Sequence, residues 1–212
     1  MISLFELLVE TYSSVTLRIS RDIINDFKLN VKKGGKYKYD GKIISRDPEM
    51  KSLAGEPDDI EFKVYVHFEP TRKMHGHSYS IDAITVYDIV NITMSYNPTV
   101  FPAAYNDFIA EVKEAVRHEV EHIAQNFNQG KEQHERSVDG EPYYQYLQLR
   151  HEVPAFVQGL YRRSKSKKQT LTTSIDEFMK ENSDSFRNKK EKRIVKTIWI
   201  EWAKKNLKNA QL

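Results

Sequence analysis

Two histidines four residues apart, His118 and His122, with an acid between them at Glu119, are the residues of this 212-residue chain best placed to do chemistry. On a helix, positions i and i+4 stand one above the other on the same face, so two imidazoles at that spacing can grip one ion. Glu119 lies about 100° further round from His118, where a carboxylate can hydrogen-bond a water on that ion and take its proton. The chemistry implied is metal-assisted hydrolysis. The chain has no cysteine, so disulfides and thiol nucleophiles are excluded, and zinc can be held only by His and carboxylate. A catalytic zinc site needs three protein ligands and an open position. Downstream, His151 and Glu152 stand side by side on a segment whose apolar stripe is Leu149, Val153, Phe156 and Leu160. With Glu152 set to zero, that stripe lies between about 40° and 100°. Glu152 borders it and His151 points away, so Glu152 is favoured as the third ligand.

His118-Glu-Val-Glu-His122, followed thirty residues on by Glu152-Val-Pro-Ala155-Phe156, resembles the zincin metallopeptidases, in the branch with glutamate as third ligand. It is also similar to small metallopeptidase-like proteins of tailed phages, in which such a pentad is followed by a Glu-x-x-Ala-Tyr/Phe helix. The resemblance covers about residues 101–162. It implies zinc bound by His118, His122 and Glu152, with Glu119 as general base and a protein or peptide as substrate. It further implies an antiparallel sheet whose edge strand lies along the cleft and can pair with an extended peptide; residues 89–96 are the candidate edge. A phage origin would place the protein in the host cytoplasm or the virion. The His-x-x-Gly-x-x-His extension of another zincin branch is absent, because Ile-Ala-Gln follows His122. An oxyanion stabiliser is still required, and Tyr143, Tyr144, Tyr146, Tyr161 and His134 are candidates by position alone.

These residues must be held by helices. Ile109, Val112, Val116, Val120, Ile123 and Phe127 form an apolar stripe that predicts a helix over about 102–128. The two histidines fall at the edge of the stripe and Glu119 falls on its apolar side, a conflict of local patterning expected at functional sites. A further helix is expected over about 143–164, with Pro154 costing it a hydrogen bond. Upstream, helices are expected over 2–12 and 20–32, the second capped by Ser20. Asp40-Gly41 signals a short hairpin within 36–45. Strands are expected at 60–68, 79–86 and 89–96 from alternating apolar residues. Ser174 is expected to cap a short helix ending at Asn182. A last helix over about 186–208 turns Ile194, Ile198, Trp202 and Val195 inward. Strands followed by helices give an α+β class.

The net charge of +3 hides an asymmetry: residues 161–212 carry +9 and residues 1–160 carry −6. The expected organisation is a metallopeptidase domain at 1–162 and a basic helical extension at 163–212. Lysines and arginines of that extension, among them Lys189, Lys190, Arg193, Lys204 and Lys205, could follow a phosphate backbone or another acidic partner. A zinc-containing nucleic-acid- or assembly-binding protein is therefore the alternative to a peptidase, and a metal-free relative of such enzymes is a third reading. His75-Gly-His77 reads as a loop feature and His67 as a surface residue. No apolar run approaches a membrane span and the N-terminus lacks a basic leader, so a cytoplasmic protein without a membrane partner is expected.

Overall fold

A computed structural model describes residues 4–43, 60–71, 78–99, 101–128 and 142–212, with the side chains of 4–13, 101–102 and 126–128 left out of the description. The His75–His77 pair and His134 fall outside those residues. The class is α+β, with four strands in succession followed by a run of helices. Helix α1 (Leu4–Asn30) leads into strands β1 (Gly35–Ile43), β2 (Ile60–Pro70), β3 (Tyr79–Val86) and β4 (Ile89–Tyr96). A 3-10 turn (Phe101–Ala104) then opens helix α2 (Tyr105–Asn128), and the rest is helical: α3 (Tyr143–Tyr146), α4 (Glu152–Lys167), α5 (Leu171–Glu181) and α6 (Lys189–Asn206). Among the described residues no helix is long and apolar enough to cross a membrane.

The expected break between two N-terminal helices does not occur. Ser20 lies inside α1, where its hydroxyl donates to the Thr16 carbonyl at 2.7 Å, so it satisfies itself against the helix instead of capping one. Ile19, Ile23, Ile24 and Phe27 supply the buried stripe of α1. The Asp40-Gly41 hairpin is likewise corrected: both residues lie within β1, paired with Lys63 and Phe62 of β2. Gly41 is required there by close approach, because a Cβ would sit 2.1 Å from the Phe62 ring.

The sheet has the order β1-β2-β4-β3, with β2 and β4 parallel and both outer pairs antiparallel. Residues 89–96 are therefore central, not an edge. The edge on the α2 side is β3, which turns into β4 through Tyr87-Asp88, with Tyr87 at φ 57°. Val90, Ile92, Met94 and Tyr96 of β4 and Val64, Val66 and Phe68 of β2 form the floor of the first core, which α1 and α2 cover.

A second core, built from Leu147, Val153, Val157, Leu160, Ile175, Phe178, Val195 and Trp199, joins α4, α5 and α6. Helix α4 runs unbroken through residues 162 and 163. Two expected helix starts shift here. Thr170, not Ser174, caps α5 by accepting from Thr173 N–H, while Ser174 is buried. Asn188 caps α6 by accepting from the amides of Lys190 and Glu191. The inward face of α6 is Glu191, Val195, Trp199 and Ala203; Ile194 is exposed, and Ile198 and Trp202 are half-buried. Trp199 decides the rotation, because its indole N–H finds the Leu147 carbonyl at 2.9 Å within the core.

Candidate metal centre

Helix α2 lies between the sheet and α4, so it is buried on two sides. Acids as well as apolar residues are therefore buried around it, Glu119 and Glu121 along with Val116 and Val120. The expected helix over 143–164 divides into α3 and α4, linked by residues 147–151. Pro154 falls in the first turn of α4, where a missing N–H breaks no helical hydrogen bond, and so costs nothing there. Glu152 opens α4, and its carboxylate reaches the two histidines of α2.

The three side chains form a small triangle. His118 Nε2 and His122 Nε2 are 3.1 Å apart, and Glu152 Oε2 lies 3.6 Å and 3.5 Å from them. Metal–ligand bonds of 2.0–2.1 Å at tetrahedral angles set ligand atoms about 3.3–3.4 Å apart, so the triangle has the size of one face of a zinc tetrahedron. Glu152 Oε2 is buried and lacks a hydrogen bond of good geometry, which in a protein interior demands compensation. The donor set and this orphaned oxygen fit a divalent cation, and His118, His122 and Glu152 are the candidate ligand group among the described residues.

Electrostatics agree with the geometry. Burial, helped by the neighbouring His122, pulls the His118 pKa down to about 3, which keeps that ring neutral. Burial works against the His122 cation too, but the Glu152 carboxylate beside it, with the charge of Glu119, outweighs burial and holds its pKa up. For Glu152, burial opposes ionisation; the nearby rings of His122 and His151 and the charges of the histidines overcome it and keep its pKa well below the usual carboxylate range. A neutral His118 ring and an ionised Glu152 are the protonation states that metal ligands need.

Glu119 is only 5% exposed. Burial raises its pKa, while a hydrogen bond from Thr85 and the charge of His122 oppose the rise. Thr85 Oγ1, on the edge strand β3, lies 2.7 Å from Glu119 Oε2 and 3.0 Å from its carbonyl oxygen. His151, at the N-cap of α4, brings its ring back toward the centre: its Nε2 is 3.5 Å from Glu152 Oε1 and its ring centroid 6.2 Å from that of His122. Phe156 sets its edge against His118 at 4.6 Å and stacks on Trp199 at 5.3 Å, linking the centre to α6.

Of the hydroxyl candidates, Tyr146 lies beside Glu152, and burial together with that carboxylate raises its pKa. Tyr143 is pushed up to about 12 by burial and by the charges of Glu152 and Glu114. Tyr144 instead lies under Arg187, and Tyr161 lies under Lys165. Thr85 and Gln125 are the neighbours that sequence reasoning missed. Gln125 had a signal in its position three residues after His122; Thr85 had none without the sheet register. The chain finds no match among protein-family models, curated proteins or solved structures.

Proposed function

We propose that this protein is a zinc-dependent peptidase of zincin-like build, with His118, His122 and Glu152 as ligands and Glu119 as general base. The observation that carries the reading is the 3.1–3.6 Å triangle of donor atoms with a buried acid one residue from the first ligand. Zinc, when bound, supplies Lewis acidity and lowers the pKa of water toward 7. Glu119 takes the proton of the attacking water and delivers it to the leaving amine, and its raised pKa suits both halves of that task. Thr85 holds the Glu119 carboxylate from β3. The same strand presents an extended peptide with the sheet edge nearest the base, and β-pairing there would lay the scissile bond across the centre. Tyr146 and Tyr143 are the hydroxyl donors nearest Glu152 for a developing oxyanion.

The test is metal content joined to catalysis. Protein purified without chelator is expected to carry about one zinc per chain. Glu119→Gln is expected to keep that zinc and to cleave a peptide library slower by about 10²–10⁴-fold, the range for loss of a general base. Equal cleavage by both proteins would rule the mechanism out.

A second reading, binding of nucleic acid, is favoured by one observation. Opposite the buried face of α6, Lys189, Lys190, Arg193, Lys204 and Lys205 are all exposed, and Glu201 is the acid among them. A basic stripe along one helix face is an electrostatic footprint for phosphates. It does not conflict with hydrolysis, because the stripe and the metal centre use different surfaces of the helical layer.

A further inference from the structure

Behind the candidate ligands runs a closed bracket of contacts. His122 Nδ1 lies 3.2 Å from Gln125 Oε1. Gln125 Nε2 donates to the His151 carbonyl at 2.9 Å. The His151 ring in turn stands 3.5 Å from Glu152 Oε1, the carboxylate oxygen other than the one nearest His118 and His122. We infer that Gln125 is a positioning residue for the metal centre. It fixes His122 in the tautomer that offers Nε2, and it ties α2 to the segment that carries Glu152. The inference rests on the zinc reading and deepens it.

The argument is one of donors and acceptors. A backbone carbonyl only accepts, so the Gln125 amide must turn its NH₂ to His151 and its oxygen to His122. An amide oxygen also only accepts, so His122 must carry its proton on Nδ1. In the neutral ring the Nε2 lone pair is then left for the ion, the arrangement by which a ligand histidine is oriented from behind. Gln125 is 7% exposed, so water competes weakly for either bond. A carboxylate at 125 would serve His122 and repel the His151 carbonyl. An apolar side chain would serve neither. A neutral amide does both.

The test compares the full chain with Gln125→Met and Gln125→Glu. Zinc affinity is read by competition with a chromophoric chelator. Ring-nitrogen NMR of zinc-free protein at about pH 8, assigned with His122→Ala, reads the tautomer. The wild type is expected to show His122 as the Nδ1–H form. Gln125→Met should lose that fixed signal and bind zinc about 10–100-fold more weakly, the usual cost of losing such a partner. Gln125→Glu should keep the Nδ1–H signal and recover the larger part of the affinity. An unchanged tautomer or unchanged affinity in Gln125→Met overturns the inference, as does a Gln125→Glu that recovers nothing. A wild type that takes up no zinc sinks the metal reading instead, and the ring signals still decide the role of Gln125. If Gln125→Met fails to fold, an Nε2–H form in the wild type is sufficient to overturn it.

Discussion

Glu114, one turn before His118, shows how single residues of α2 carry the strain of double-sided burial. Burial pushes its pKa up to about 7, against the pull of Arg163, whose guanidinium lies 3.4 Å away. In the unfolded chain the same group titrates near 4.5. Below that pH both states hold the proton. Between about pH 4.5 and 7 the unfolded chain has released it and the fold retains it, so folding must take up a proton and stability falls as pH rises. Above about pH 7 the contribution is constant. Urea unfolding across pH 5–8 should therefore show the wild type losing stability relative to Glu114→Gln as pH rises; a constant gap would show that Glu114 enters the fold ionised. At this scale the sequence was partly readable. The angle of Glu119 on the apolar stripe foretold its burial, and the i+4 histidines and the edge position of Glu152 foretold a shared neighbourhood. The approach of the His151 ring to Glu152 was not legible, because helical angles do not fix side-chain torsions, and the approach of Thr85 to Glu119 depends on which strand lies beside α2.

Between elements, the distance from α2 to α4 sets where Glu152 meets the histidines, and Gly159 sets that distance. A Cβ at 159 would lie 3.1 Å from the Glu114 carbonyl and 3.5 Å from His118 Cβ. Alanine there would gain helix propensity against a modest squeeze, so the informative variant is Gly159→Val. It should cost about 1–3 kcal/mol by overpacking and weaken zinc binding as α4 is pushed off α2; denaturant titration and chelator competition measure the two. Unaltered zinc affinity in a destabilised variant would show that the ligands do not depend on the helix spacing. Elements with strong local signals were legible: strands at 79–86 and 89–96 match the alternation of their side chains. The parallel pairing of β2 with β4 was not, because β3 intervenes in sequence and goes to the far side of β4. The Asp40-Gly41 pair carried a turn signal that the Phe62 ring overrode, and Ser20 carried a cap signal inside a helix long enough to absorb it.

Over the whole molecule, charge and core divide differently. The +9 of residues 161–212 is not spread evenly: Arg163 is buried among Glu114, Glu177 and Glu181, and Lys167 pairs with Asp107 and Glu177. These cations join α4 to α2 and α5, while the outer face of α6 keeps its own for solvent. Reversing Lys189, Lys190, Arg193, Lys204 and Lys205 to Glu should abolish retention on DNA, and wild-type retention should fall steeply with salt, as release of counterions requires. Retention unaltered by reversal would remove the nucleic-acid reading without touching the metal centre. The cores, by contrast, are joined through α4, with Phe156 between His118 and Trp199. Synthesis runs from N- to C-terminus, so all three candidate ligands leave the ribosome before the indole that braces them from behind. A nascent chain would thus carry its candidate metal ligands unbraced until α6 emerges, and the centre would reach its final packing only once that helix docks.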